Sequence, residues 1–279
     1  MKTIGFIDYF IDEWHANTYP DLIKHYNETH GEDFAVKYVW AEKDNEKGLT
    51  TEEWCEKFGA KKCKTIGELC RQADYVIVLA PSNPEVHLRY AREVMKRGVS
   101  PYIDKTFAQD YKTAKEIFNL AEKYGVKFFT SSALRYADEL KEFEGKTESA
   151  LIVGGGASVE EYVIHLVEMA VKIVGVGAEK VRYEKKGRQE WIEIGYGNGK
   201  HVTLMQADWI PYEVTANKVG EESKTVAINS PFFQNLIDDI LNFFLTGEIS
   251  FPTEQTLEVM KIRTAIIKAK EKEGRWIKA

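Results

Sequence analysis

Glycine is missing where the start of this chain has most use for it. Twenty glycines are spread over 279 residues, yet the turn after the first strand-like run, KTIGFID, reads YFIDE and holds none. A glycine-rich turn there would let the backbone approach a pyrophosphate, so the plainest signature of a dinucleotide loop is absent. Cysteine is scarce too: Cys55, Cys63 and Cys70 have seven and six residues between them. That spacing is not the C-x-x-C of a zinc or redox site, and it predicts free thiols in a reducing compartment. Only seven prolines occur, with 44% apolar residues, which excludes a disordered or collagen-like chain. Positive charge is in deficit, 38 Lys and Arg against 44 Asp and Glu for a net charge of -6. No broad nucleic-acid surface follows from that balance, and a small-molecule partner does. The apolar runs are too short to span a bilayer, and the first residues lack the basic-then-apolar pattern of a secretory signal. We therefore expect a cytoplasmic protein without membrane contact.

What is present is an alternation of strand and helix signals. Strand-like KTIGFID, FAVKYVWAEKD, ADYVIVLAP, PYIDKTFA and VKFFTSSALRY are separated by helical HANTYPDLIKHYNETH, TTEEWCEKFG with TIGELCRQ, PEVHLRYAREVMKRG and DYKTAKEIFNLAEKYG. This order predicts right-handed crossovers in a Rossmann-type, doubly wound parallel sheet over residues 1–135, an α/β fold. The texture then changes. ALIVGGG and an apolar-striped helix, EEYVIHLVEMAVKIVG, precede alternating stretches KVRYEKKG, EWIEIGYGNGKHVTLMQ, YEVTANKV and KTVAINS. Two helices follow, PFFQNLIDDILNFFLTG and TEQTLEVMKIRTAIIKAKEKEG, the second expected to start on a threonine cap. Residues 136–279 are thus expected to form an α+β domain with an open antiparallel sheet, its last helix free to pack back on the first domain.

Within this frame a few residues stand out for their chemistry. Lys105 closes an apolar strand at the sheet edge where open α/β folds collect ligands, although a lysine there is often simply solvated. Glu161 and His165, four apart, share one helix face, with Glu168 on the same side; a satisfied core histidine is the plainer alternative. Glu42 ends the second strand, where a carboxylate would accept hydrogen bonds from an adenosine ribose, or else is a surface charge. Asn83 caps the next helix or faces a ligand. GGG at 154–156 lacks the Lys-Ser/Thr of a P-loop, which favours close backbone approach over a phosphate cradle. His25, His30 and His201 have no partners at metal-ligand spacing, and no metal site is expected.

Taken in order, several stretches resemble the Gfo/Idh/MocA family, the glucose-fructose oxidoreductase and inositol dehydrogenase group. ADYVIVLAPSNPEVHLRYAREVMKRG resembles its third strand and helix, with Pro81, Asn83 and His87 at cofactor-facing positions. YIDKTFA resembles its Glu-Lys-Pro segment, giving Asp104, Lys105 and Thr106; EEYVIHLVEM resembles its Asp-x-x-x-His segment, giving Glu161 and His165. The closing helices are similar as well. HANTY at 15–19 fits the tail of the family's glycine fingerprint, which sets Asp8, Phe10 and Glu13 where the glycines would be. The resemblance implies NAD or NADP as cofactor, with Phe10, Ile11, Glu42, Pro81, Asn83, His87 and Asp104 around it. It further implies Lys105, His165 and Glu161 at the reaction centre, a carbohydrate-like substrate oxidised by hydride transfer, and assembly as a homodimer or higher homo-oligomer. The missing glycines keep a second reading open: a non-redox ligand-binding protein, or a cofactor-independent acid/base enzyme on the same scaffold. If Asp8 and Glu13 cap the helix instead of facing solvent, the usual dinucleotide pose is excluded.

Overall fold

A computed structural model describes residues 1–218 and 220–279, so the last residue of the expected strand YEVTANKV lies outside the described residues. The chain divides into two compact units: Met1–Ser131 with Leu236–Ser250, and Ser132–Asn235 with Phe251–Ala279.

The first unit is built on five parallel strands, β1 (Lys2–Asp8), β2 (Phe34–Ala41), β3 (Lys61–Lys62), β4 (Tyr75–Val78) and β5 (Tyr102–Ile103), in the order β3-β2-β1-β4-β5. The order reverses direction beside β1, which creates the crevice at the strands' C-terminal ends where such folds bind ligands. Helices α1 (Trp14–His30), α2 (Thr51–Phe58), α3 (Ile66–Gln72), α4 (Pro84–Met95) and α5 (Tyr111–Tyr124) make the crossovers. Their ends follow from local chemistry. Thr50 and Glu53 form a reciprocal capping box on α2, Asp110 caps α5, and Gly31, Gly59 and Gly125 take the left-handed conformation that ends α1, α2 and α5. Ile4, Phe6 and Ile7 of β1 and Val76, Ile77 and Val78 of β4 are fully buried, as a sheet covered on both faces requires.

VKFFTSSALRY does not form the expected strand. Phe129 makes one bridge to Tyr102, the Ser131 carbonyl accepts the Tyr102 hydroxyl at 3.0 Å, and Ser132 caps a 3-10 turn over Ala133–Tyr136. The Ser132 side chain accepts the Leu134 amide, and a serine that bonds nearby backbone in this way offers an alternative to a ladder. Residues 236–250 complete this unit: Phe244 stacks on Tyr75, Phe243 meets Phe129 edge-on, and Asn242 accepts the Tyr26 hydroxyl at 2.9 Å.

The second unit holds a seven-stranded sheet of β6 (Thr147–Gly155), β7 (Ala178–Lys186), β8 (Gln189–Tyr196), β9 (His201–Ala207), β10 (Glu213–Lys218), β11 (Lys224–Ala227) and β12 (Trp276–Lys278), ordered β11-β10-β6-β9-β8-β7-β12. The sheet is open and antiparallel except where β6 runs parallel to β9, a pairing that the hairpin signals in the sequence do not reveal. Helices α6 (Val159–Val174) and α8 (Thr253–Lys270) belong to this unit, and α7 (Phe232–Thr246) runs from it into the first. Along β9, Val202, Leu204 and Gln206 are buried while their neighbours are not, the period-2 pattern of a sheet with one covered face. Helix α8 begins at Thr253, but that threonine is no cap: Pro252 precedes it and no side chain bonds the first amides.

Candidate functional site

In the first unit the C-terminal ends of β1, β4 and β5 bring three carboxylates and a histidine together. Asp8 ends β1 and is 1% exposed. Its Oδ1 accepts the amides of Tyr9 at 2.7 Å and Ala80 at 3.0 Å, the latter from a residue held at φ 65, a strained conformation for alanine. Its Oδ2 is buried without a hydrogen bond. Burial, then the neighbouring charge of Glu13, pushes the Asp8 carboxyl well above the usual range. Glu13 is the N-cap of α1, with extended backbone at φ -139 and ψ 170. Its carboxylate accepts the amides of His15 at 2.9 Å and Ala16 at 2.6 Å. Burial raises its pKa, although those bonds and His15 oppose the shift. Asp104, just past β5, bonds His15 Nδ1, the Tyr102 hydroxyl at 3.2 Å and the Lys105 amide at 2.8 Å. Burial raises its carboxyl, but His15 and Lys105 outweigh that and leave it below the ordinary value. The His15 ring lies flat on Tyr19 at 5.3 Å.

The donors at the start of α1 suit an oxyanion: two adjacent amides at a helix N-terminus bind one carboxylate from both sides. A pyrophosphate oxygen has the same chemistry, but Glu13 occupies these amides as the cap of α1, so the usual dinucleotide pose is closed while Glu13 stays seated. Asp8 likewise holds the amides of Tyr9 and Ala80. The other expected cofactor positions follow the same inward pattern. Ile11 is buried, and Phe10 is half-buried with its edge toward Tyr9 at 5.8 Å. Glu42 receives Arg89 at 2.5 Å and the Tyr90 hydroxyl; burial raises its carboxyl, but these two bonds bring it below the ordinary value. The Pro81 carbonyl accepts the Thr106 amide at 3.3 Å. Asn83 stands at the N-cap of α4 without capping it, its amide donating to Glu85 at 2.8 Å. His87 is fully buried, its ring nitrogens on the carbonyls of Phe107 at 3.0 Å and Leu79 at 2.6 Å, and burial lowers its pKa. Lys105 is 9% exposed.

Asp8 yields a measurable consequence. A raised folded-state pKa means that the native chain binds more protons than the unfolded one. The stability tied to this proton is present below the ordinary carboxylate pKa and is lost as pH rises through the folded value. Asp8→Asn keeps an oxygen for Tyr9 and Ala80 and cannot ionise. Its stability relative to the parent should therefore rise between pH 5 and 8 by on the order of 1 kcal/mol, read by urea unfolding at several pH values. A constant difference would show that Asp8 does not titrate in that range.

The second unit places His165 and Glu161 on α6, one turn apart, Ser158 capping the helix. Ser132 Oγ lies 2.6 Å from His165 Nδ1 and accepts the Leu134 amide at 3.2 Å. Behind it, Glu168 accepts the Ser132 amide at 3.3 Å and Arg135 Nε at 2.7 Å, while Arg135 also reaches Gln255 at 2.7 Å and lies over the Phe251 ring at 4.2 Å. Burial raises the Glu168 carboxyl despite the guanidinium beside it. This chain of bonds fixes the imidazole by its Nδ1 side and turns Nε2 away from Ser132, the arrangement that a positioned proton acceptor needs. Aromatic rings surround it: Tyr162 at 5.8 Å and Tyr212 at 6.3 Å from His165, and Trp209, 71% exposed, edge-on to Tyr162 at 5.6 Å. The three glycines serve close packing here, because an added Cβ would meet the Tyr212 ring at 2.3 Å, the Trp209 backbone at 2.5 Å and the Tyr162 ring at 2.1 Å respectively.

Sequence reasoning missed His15, Ser132 and Arg135. His15 sits inside HANTY, but its partner Asp104 is 89 positions away. The i+3 spacing of Glu168 from His165 was the one local signal of the buried network. Among the described residues no group of three or more His, Cys, Asp or Glu is placed to hold a metal ion, and no helix is long and apolar enough to cross a membrane.

Residues 22–132 match the model of the GFO_IDH_MocA family, described as an oxidoreductase family with an NAD-binding Rossmann fold. No curated protein sequence matches the chain. Solved structures do. A probable dehydrogenase from Thermotoga maritima is 15% identical, with a TM-score of 0.79 over 99% of this chain and 98% of its own. GenD2 from gentamicin A biosynthesis, in complex with NAD, is 13% identical, with a TM-score of 0.79 over 100% and 97%. UDP-N-acetylglucosamine 3-dehydrogenase GnnA from Acidithiobacillus ferrooxidans is 12% identical, with a TM-score of 0.77 over 96% and 97%. At such identities the structures show the fold, and the sequence match extends over residues 22–132, beginning after the turn between β1 and α1. Residues 22–132 thus match the model of an oxidoreductase family with an NAD-binding Rossmann fold, and the whole chain shares the fold of these solved dehydrogenases.

Proposed function

We propose that this protein is an NAD(P)-dependent oxidoreductase that oxidises a hydroxyl of a carbohydrate-like or polyol substrate. The observation that carries this reading is the hydrogen-bonded mounting of His165, which a merely packed histidine does not need, in a chain whose first unit matches an NAD-binding oxidoreductase family. His165 takes the hydroxyl proton on Nε2, while the Lys105 ammonium stabilises negative charge on the substrate oxygen. Glu161 orients the substrate by accepting from a neighbouring hydroxyl. A bound nicotinamide would supply the acceptor for the hydride that leaves the carbinol carbon. Tyr162, Tyr212 and Trp209 offer ring faces and edges of the kind that pack on sugar C–H surfaces. Phe10, Ile11, Glu42, Pro81, Asn83, His87 and Asp104 remain the proposed surroundings of the cofactor, and a cytoplasmic homodimer is part of the same proposal.

Spectrophotometry at 340 nm with NAD+ or NADP+ and a panel of hexoses, inositols and nucleotide sugars should show reduction with at least one pair. Silence across the panel at millimolar cofactor, with the fold intact by circular dichroism, would sink this reading. It would leave the second one, a carbohydrate-like ligand bound without redox chemistry. The specific observation favouring that alternative is that the amides at the start of α1 are held by Glu13. In that case the same panel raises the melting temperature without cofactor.

A further inference from the structure

We propose that Glu13 is a resident anion in the phosphate seat of the first unit, and that a dinucleotide binds by displacing it. The inference rests on the NAD(P) reading above and adds the residue that sets the affinity. The carboxylate bridges the amides of His15 and Ala16, two donors of the helix N-terminus. An incoming pyrophosphate competes for the same hydrogens and for the same positive end of the α1 dipole. Only a side chain of two methylenes separates the carboxylate from the backbone, so its local concentration is high and the apparent affinity for the dinucleotide falls by the fraction of time that Glu13 stays seated.

Competition of this kind is linked to protons. Glu13 faces Asp8 at the end of β1, Asp104 after β5, and His15 and Tyr19 on α1. A protonated Glu13 loses the charge-assisted part of its hold on the amides, and burial makes that protonation easier than for a solvated glutamate. NAD+ should therefore bind the parent chain more tightly as pH falls from 8 to 5.5. In a chain without the Glu13 carboxylate that dependence should shrink, although Asp8, Asp104 and His15 are all retained.

The test is calorimetric titration of NAD+ into the full-length parent, Glu13→Ala and Glu13→Ser at pH 8 and 5.5. Glu13→Ser keeps a hydroxyl that can cap α1, which protects the fold if the alanine variant is unstable. At pH 8 both variants should bind at least tenfold more tightly than the parent, with the amide resonances of His15 and Ala16 shifting on addition of NAD+. Equal affinity in parent and variants would overturn the proposal and leave the oxidoreductase reading standing. Tight binding by the variants without turnover by the parent would do the reverse. If no chain binds at millimolar NAD+, Glu13 is not what closes the seat, and the proposal falls with the cofactor.

Discussion

Lys105→Met should lower kcat/KM for the proposed oxidation by about 10²- to 10³-fold, the loss typical of removing one charged or hydrogen-bonding stabiliser of a developing oxyanion. The reason lies in how the residue is mounted. β5 is only two residues long, Tyr102 and Ile103, and the chain leaves it through Asp104, whose amide extends the ladder to the Val78 carbonyl at 2.8 Å. Asp104 in turn fixes the Lys105 amide, and is itself fixed by His15 and Tyr102. The lysine is thus set by a buried, ionised carboxylate at the end of the sheet where α/β folds act on their ligands. Methionine keeps the length and apolar stem and removes only the ammonium, and His15 remains beside the Asp104 carboxylate, so the variant should still fold, with a lowered melting temperature. The loss should fall mainly on kcat, because the cation matters most when the oxygen carries charge. Steady-state kinetics with the best substrate of the panel decides it. A kcat/KM within threefold of the parent would remove Lys105 from the reaction.

The parts of this molecule legible in its sequence are those governed by short-range rules. Strand and helix alternation, the capping box of Thr50 and Glu53, and the αL glycines after α1, α2 and α5 are local, and they give the α/β class and the order of elements. The apolar run YVIV of β4 reads directly as a strand covered on both faces. Reading fails where side chains reach across the chain. The parallel pairing of β6 with β9 joins strands separated by α6 and a hairpin, and no turn signal encodes it. In VKFFTSSALRY the β-branched and aromatic content points to a strand, but the Ser132 side chain caps a 3-10 turn over the residues that follow it. The site shows the same division. The placement of Lys105 past a strand end and of Glu161 and His165 one turn apart on a helix follows from local spacing, whereas the pairs His15–Asp104 and Arg135–Glu168 are separated by 89 and 33 positions and form only through the fold. The composition of the first turn did carry information. Three bulky or acidic residues where glycines would stand raise the option that the helix is capped from within, and Glu13 takes that role.

Arg135→Met should destabilise the protein by about 3–5 kcal/mol, the usual cost of leaving a buried charge without its partner. Both side chains of the pair are almost fully buried, with the Nε–Oε2 distance at 2.7 Å. Glu168 already has its carboxyl raised by burial, with the guanidinium opposing that shift, so removing the cation must raise it further. The sign with pH follows. A raised folded-state pKa gives stability that is lost as pH rises through it, so the deficit of the variant should be larger at pH 8 than at pH 5, where Glu168 can take up a proton. Methionine retains an apolar stem against Phe251, which isolates the charge from the packing. Adding Glu168→Leu to Arg135→Met should recover much of the loss, because the buried charge disappears with its partner. Activity should not recover with stability. Glu168 accepts the Ser132 amide, and Ser132 holds His165 Nδ1, so the double variant folds but leaves the imidazole without its support. Urea unfolding and kinetics on the same three proteins test both halves. A single variant less than 1 kcal/mol below the parent would show that the pair is not a structural charge pair, and full activity in the double variant would separate His165 from the network behind it.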